Sequence, residues 1–162
     1  MLSEKMLKAI NEQINKELYS AYLYLSMSAD CESKCLGGFA NWLKVQYNEE
    51  TEHAMKLYKY VLEQGGKIEL MAIDKPSSEF GTCLEMFQKV LEHEKFVTKS
   101  IHDLYALAIE EKDYASQIML QWFVSEQVEE EAHATEIVER LKMAGNSVGA
   151  LLMYDRAMGE RK

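Results

Sequence analysis

The chain has 162 residues, enough for one domain with a sizeable core, and its 48% hydrophobic and 28% charged residues are typical of a soluble globular protein. A net charge of -9 disfavours binding to nucleic acid or to an anionic membrane surface and favours binding of cations. Eight glycines and a single proline indicate an all-α fold built from long helices.

The N-terminal segment is charged throughout and has no apolar signal core, and no apolar run approaches the ~20 residues needed to span a bilayer. We therefore expect a cytoplasmic protein that does not bind a membrane. The three cysteines, Cys31, Cys35 and Cys83, are an odd number without the close pairs of zinc sites, and we expect reduced thiols.

Apolar residues recur every three to four positions and predict four long amphipathic helices followed by a short one. The predicted bounds are about 3–31, 36–64, 82–111, 113–144 and 147–158. Gly65 and Gly66 end the second helix. Thr82 with Glu85 three residues later is the pattern of a capping box at the start of the third helix, and Asp113 can cap the fourth.

The stretch from 65 to 81 holds the only proline and has no sustained helical period, yet it is long for a compact domain. It predicts a crossover connection, whereas the short loops elsewhere make helices 1 and 2, and helices 3 and 4, antiparallel neighbours. We predict a single domain over residues 1–162. Its architecture is a four-helix bundle with one long crossover between helices 2 and 3 and a short C-terminal fifth helix.

The two predicted hairpins carry ligand-type residues at equivalent positions. A shift of 77 residues superimposes these pairs: Glu17 and Glu94, Glu50 and Gln127, His53 and Glu130, Glu49 and Glu126, and Glu52 and Glu129. Residues three apart share a helical face, so Glu50 and His53 can turn inward together. Carboxylates can bridge two cations, and an imidazole nitrogen favours iron or manganese over calcium or magnesium. The sequence therefore predicts a two-metal centre inside the bundle.

Three neighbouring residues leave alternatives open. Glu130-x-x-His133 is a literal Glu-x-x-His motif, but the register of the repeat argues against it, and His133 stays an outside candidate. Tyr24 lies two turns after Glu17 and could bond a metal carboxylate or donate an electron; an ordinary core tyrosine is an equal alternative. For Trp122 core packing is the default, with a redox role as the weaker reading.

At these residues the chain resembles the non-haem bacterial ferritins over essentially its full length. The resemblance rests on Glu17, Tyr24, the run NEETEH, Glu94 and the run SEQVEEE. In ferritin-like di-iron proteins the metal ligands are one Glu from each of two helices and a Glu-x-x-His pair from each of the other two. Gln127 and Glu130 depart from this pattern, which makes the two metal positions unequal.

The resemblance implies the role of each residue. Glu17, Glu50 and His53 are expected to hold the first iron, and Glu50, Glu94 and Glu130 the second, with Gln127 beside them. It also implies a hollow homo-oligomeric shell of 24 subunits that oxidises ferrous iron with dioxygen or hydrogen peroxide and stores ferric mineral. No haem is expected, because Thr51 stands near the position of the haem-ligating Met of bacterioferritins.

The remaining acids predict a third, weaker iron position, bound by Glu49, Glu126, Glu129 and Glu130. An acidic inner surface that only gathers ions is the alternative. The fifth helix carries more apolar side chains than a free tail would, and we expect it to pack against a neighbouring subunit.

Two other functions compete with iron storage for this pattern of residues. A di-iron oxygenase or peroxidase of the ferritin-like superfamily would need a substrate cavity or an added redox module, which a chain of this length does not suggest. A metal-free bundle that binds partners would leave several inward polar groups without compensation. Iron storage with ferroxidase activity is the favoured prediction.

Overall fold

Five helices and no strand make up the computed structural model, which describes all 162 residues. The helices are α1 (Glu4–Ser33), α2 (Gly37–Glu63), α3 (Cys83–Glu110), α4 (Tyr114–Ala144) and α5 (Val148–Met158). These bounds lie within two residues of those predicted. The all-α fold expected from the sequence, with four long helices and a short fifth one, is confirmed.

Each observed helix starts one residue later than predicted, because the residue that was expected to begin the helix is its N-cap. Ser3, Thr82, Asp113 and Ser147 each accept a hydrogen bond from the backbone N–H three residues ahead. At α3 the capping box is complete, because Glu85 also accepts from the Thr82 backbone N–H. Local side-chain chemistry therefore places the start of four of the five helices.

The crossover between α2 and α3 has no regular secondary structure and is held to α1 by side-chain bonds. The Asn11 side chain donates to the Lys67 carbonyl over 3.1 Å and accepts from the Glu69 backbone N–H over 3.1 Å. Ser26, four turns further along α1, donates to the Ser77 carbonyl over 2.6 Å. The connection thus follows α1 from one end of the bundle to the other.

Two apolar clusters fill the bundle, one towards each end. The first draws on residues 23–31, 36–43, 83–90 and 134–141 of the four long helices. The second draws on residues 6–14, 54–61, 97–108 and 120–123. On each of the four long helices the two apolar stretches are separated by a polar one, so a polar layer crosses the middle of the bundle. Its members are each at most 4% exposed: Glu17, Glu50, His53, Glu94, Gln127 and Glu130.

The short helix α5 docks on the start of α2. Asp155 accepts a hydrogen bond from the Phe39 backbone N–H over 2.9 Å. The approach is so close that a Cβ on Gly38 would lie 1.5 Å from the Asp155 carbonyl oxygen, so only glycine fits there. Val148 and Met153 of α5 remain exposed. None of the five helices combines the length and the hydropathy that a membrane-spanning helix needs.

Candidate metal centre

The polar layer contains two sets of metal-ligand atoms that share one residue. Ligand atoms of Glu17, Glu50 and His53 lie within 4.8 Å of one another, and so do those of Glu50, Glu94 and Glu130. Every one of these side chains is buried. The structure therefore brings together both of the triples expected for two iron ions, with Glu50 between them. Metal binding at these triples remains a prediction.

One ligand atom of the first triple has nothing to bind within the protein. The Oε2 atom of Glu17 is buried without a hydrogen-bond partner, and it lies 3.9 Å from His53 Nδ1. That same imidazole nitrogen lies 3.3 Å from Glu50 Oε2. A buried acceptor without a donor is unfavourable. A cation held between Glu17, Glu50 and His53 would satisfy it, so the donor set fits a metal ion.

Burial is the main cause of high pKa values throughout the cluster. It raises the pKa of Glu17, Glu50 and Glu94, and it raises that of Glu130 to about 8. Charge repulsion from neighbouring carboxylates adds to the pKa of Glu17, Glu50 and Glu130. Without a cation the cluster holds protons at neutral pH, and a bound cation would replace them.

Three glutamine side chains hold the carboxylates by hydrogen bonds. Gln13 Nε2 donates to Glu17 Oε1 over 2.7 Å, and Gln127 Nε2 donates to Glu94 Oε2 over 3.2 Å. Gln127 thus lies beside the cluster, as the resemblance implied.

The third amide contacts both triples. Gln46 Nε2 donates to Glu130 Oε2 over 2.6 Å and to Glu50 Oε1 over 3.2 Å. Gln13 and Gln46 were missed in the sequence, although each stands four residues before a predicted ligand, on the same helical face.

Tyr24 is fully buried, and its hydroxyl group donates a short hydrogen bond to Glu94. Burial and the nearby carboxylates raise the pKa of this phenol well above its usual value, so it stays protonated. The side chain is therefore both a core tyrosine and a hydrogen-bond partner of Glu94, a candidate metal ligand. His93 packs edge-on against it at a ring-centroid distance of 6.0 Å, and burial lowers the pKa of His93 to about 4.

The residues predicted for a third metal position are only partly assembled. Glu126, Glu130 and His53 have ligand atoms within 4.8 Å of one another. Glu49 instead pairs with Arg161, whose Nη2 lies 2.5 Å from Glu49 Oε2, and Glu129 is exposed. Neither belongs to a cluster of ligand atoms. The third position stays a prediction, with two of its four acids in place.

An open pocket of about 460 Å³ adjoins this region and reaches His53. Glu49 and Glu126 line it together with Trp122 and Lys56. The expectation that Trp122 packs in the core is wrong, because its side chain is 38% exposed. Its ring meets that of His53 edge-on at 5.4 Å, and Lys56 Nζ lies 3.9 Å from the ring centroid.

The rival motif ending at His133 finds no support in the geometry. His133 is exposed and contributes to none of the clusters of ligand atoms. Residues three apart can share a helical face, but the His133 side chain is exposed and lies beside Ala134 of the first apolar cluster, beyond the polar layer.

Comparisons with known proteins agree with this geometry. The family model described as "Ferritin-like domain" matches residues 7–144. "Bacterial non-heme ferritin" from Campylobacter jejuni is 43% identical over 156 residues, covering 96% of this chain and 93% of that protein. The protein of the same name from Bacteroides fragilis is 44% identical over 161 residues, covering 99% and 100%.

Among solved structures, the "novel open pore ferritin" of the hyperthermophilic archaeon Archaeoglobus fulgidus superimposes with a TM-score of 0.99. It is 50% identical, and the match covers 100% of both chains. Family model, relatives and structure agree over nearly the whole chain, and the chain belongs to the ferritin family of iron-storage proteins.

Proposed function

We propose that this ferritin subunit is a ferroxidase. Its substrate is ferrous iron, which it binds as a pair in the polar layer, oxidises with dioxygen or hydrogen peroxide, and passes on for storage as ferric mineral. The storage compartment is a shell of 24 subunits. One observation carries the proposal, namely two buried ligand triples that share Glu50 in the middle of the bundle.

The shared carboxylate gives the pair its chemistry. Glu50 belongs to both triples, so its two oxygens can hold two iron ions close together. Two electrons can then leave the pair in one encounter with the oxidant, one from each ferrous ion. Neither ion has to react with the oxidant alone.

The two positions differ in their ligands. Glu17, Glu50 and His53 supply oxygen and nitrogen atoms, whereas Glu50, Glu94 and Glu130 supply oxygen only. A nitrogen ligand favours transition metals over calcium and magnesium. We expect the position at His53 to be the more selective one for iron.

Binding of iron also releases protons from the site. Burial and the charge of Glu94 raise the pKa of the Glu130 carboxyl group to about 8, so this group must lose its proton to bind a cation. The amide donors of Gln46 and Gln127 then keep the ionised carboxylates in place. Acid conditions should therefore weaken iron binding.

The third iron position is part of the same proposal. Glu126 and Glu130 already approach each other next to His53, and Glu49 lines the pocket beside them. With Glu129 turned towards this place, four carboxylates would surround a cation. Replacement of both Glu49 and Glu126 by Ala should leave fast oxidation intact but change the ratio of iron oxidised to oxygen consumed. An unchanged ratio would exclude a third position.

The test of the ferroxidase is stopped-flow absorbance after mixing metal-free protein with ferrous iron in aerobic buffer. Replacement of Glu50 by Ala removes a ligand from both triples, and we expect the fast phase of oxidation to disappear. The matched control is Glu63→Ala, which removes an exposed acid from the same helix and should keep the fast phase. Undiminished oxidation by Glu50→Ala would contradict the proposal.

A further inference from the structure

The C-terminal tail after α5 reaches the metal centre through a single side chain, Arg161. Its guanidinium group lies 4.3 Å from the centre of the Trp42 ring. Nη1 donates to Gln46 Oε1 over 3.0 Å, and Nη2 donates to Glu49 Oε2 over 2.5 Å. Arg161 therefore contacts one residue that bonds the metal ligands and one acid of the predicted third position.

The bond from Arg161 fixes the orientation of the Gln46 amide. An arginine side chain can only donate, so Gln46 must turn its oxygen towards Arg161. Its amino group is then left to face Glu130 and Glu50, to which it donates. Two hydrogen bonds in series thus connect the tail with the carboxylates of the iron pair.

The bond to Glu49 has a different consequence. A guanidinium group keeps its positive charge at any physiological pH. The guanidinium engages one oxygen of Glu49 at 2.5 Å, and its positive charge would repel a metal ion bound at either oxygen of this carboxylate. Glu49 nevertheless lines the pocket that it shares with Glu126 and His53. The arginine occupies the acid that a third cation would need.

We propose that Arg161 is a tethered cation that competes with a metal ion for Glu49. A cation binds tightly at the third position of the proposed function only when the tail releases Glu49. The affinity of the third position is thereby set by a residue outside the bundle. The inference rests on the third position of the proposed function, but not on its oxidation chemistry.

The tail can move without undocking α5. Apart from the bonds of the Arg161 side chain, its hydrogen bonds to α2 are the two that Asn41 donates to the Gly159 and Arg161 carbonyls. The helix α5 has its own anchors, the bond from the Phe39 backbone N–H to Asp155 and the buried side chain of Met158. Release of Glu49 therefore requires only a local rearrangement of the last residues.

Zinc titration of the assembled, metal-free protein by calorimetry tests the competition, because zinc binds oxygen and nitrogen ligands without redox chemistry. In Arg161→Gln the weakest class of zinc sites should bind about fivefold more tightly, the change expected when a partly exposed ion pair no longer competes. The tighter classes should keep their affinity. The matched control is Arg156→Gln, which removes the same charge from exposed surface of α5 and should behave as wild type.

Further variants separate competition from other effects of Arg161. In a Glu49→Gln background the Arg161→Gln change should have no effect on zinc affinity, because the contested carboxylate is gone. Arg161→Lys keeps the positive charge, so its zinc affinity should remain near that of wild type. This variant can still be measured if Arg161→Gln assembles poorly. A purely structural role would lower thermal stability while leaving zinc affinity unchanged.

The proposal is overturned if Arg161→Gln binds its weakest zinc no more tightly than wild type, or if Arg156→Gln shows the same gain. Failure of the proposed ferroxidase function would be recognised separately, because the wild-type protein would then oxidise iron slowly, whatever its zinc affinities. The iron oxidised per oxygen consumed should also shift in Arg161→Gln, in the direction opposite to that in the Glu49 and Glu126 double variant.

Discussion

Replacement of Glu130 by Gln should stabilise the metal-free protein at neutral pH. The side chain is 4% exposed, and burial, followed by the charge of Glu94, raises the pKa of its carboxyl group to about 8. In the unfolded chain the same group has a pKa of 4.5. Holding it protonated at pH 7 costs folding about 3 kcal/mol, a cost that an uncharged amide does not have. The Gln46 amino group can still donate to an amide oxygen at this position.

The pH dependence follows from the sign of the shift. A carboxyl group whose pKa is raised by folding leaves stability untouched below about pH 4.5 and lowers it progressively as the pH rises towards 8. The advantage of Glu130→Gln should therefore be absent at pH 4.5 and largest near pH 8. A gain of about 3 kcal/mol corresponds to roughly 6–12 °C in Tm for a chain of this size.

Scanning calorimetry of chelator-treated protein at pH 4.5 and pH 7.5 measures the effect. Glu129→Gln is the control, since it neutralises an exposed acid on the same helix and should change Tm little at either pH. With iron bound, wild type should have the higher Tm, because the amide of Glu130→Gln is a poorer metal ligand than the carboxylate. A Tm for metal-free Glu130→Gln at or below that of wild type at pH 7.5 would refute the account of the cluster.

Other changes test the parts around the iron pair. Gly38→Ala should detach α5, because its Cβ would lie 1.5 Å from the Asp155 carbonyl oxygen, and the heat stability of the shell should fall. The control Gly37→Ala has free space around its Cβ and should leave heat stability unchanged. Deletion of residues 147–162 should weaken the shell in size-exclusion chromatography while circular dichroism still shows a helical subunit; a full-size, equally heat-stable shell would disprove this. Gln46→Met should slow ferrous oxidation by removing donors to two ligands, and an unchanged rate would mean that this amide does not position them.

The bundle and its ligand pairs could be predicted from the sequence because both depend on periodicity. Apolar residues at helical spacing are interrupted on each helix by one polar stretch, and the 77-residue shift aligns those stretches. Burial follows from that alignment, since residues at the same level of four packed helices must face one another. Glu17 and Glu94 could therefore be assigned to the site before any distance was known.

The contacts that tune the site could not be predicted in this way. Glutamine is common on solvated helix faces, so nothing in the sequence marks Gln13 and Gln46 as buried. Their hydrogen bonds to the carboxylates depend on side-chain directions that spacing alone does not give. Arg161 lies after the last helix, where no periodicity applies. Its pairing with Glu49 depends on how α5 docks. Trp122 was misplaced because α4 carries apolar residues on more than one face.

Aerobic loading of the metal-free protein with ferrous iron tests the central claim most directly. Iron is added in steps, and size-exclusion chromatography with iron analysis of each fraction follows. We predict ferric iron that coelutes with a particle of about 450 kDa, the mass of 24 chains, in amounts far above three ions per subunit. Iron that saturates at two or three ions per chain, or that precipitates apart from the protein, would contradict storage by this ferritin.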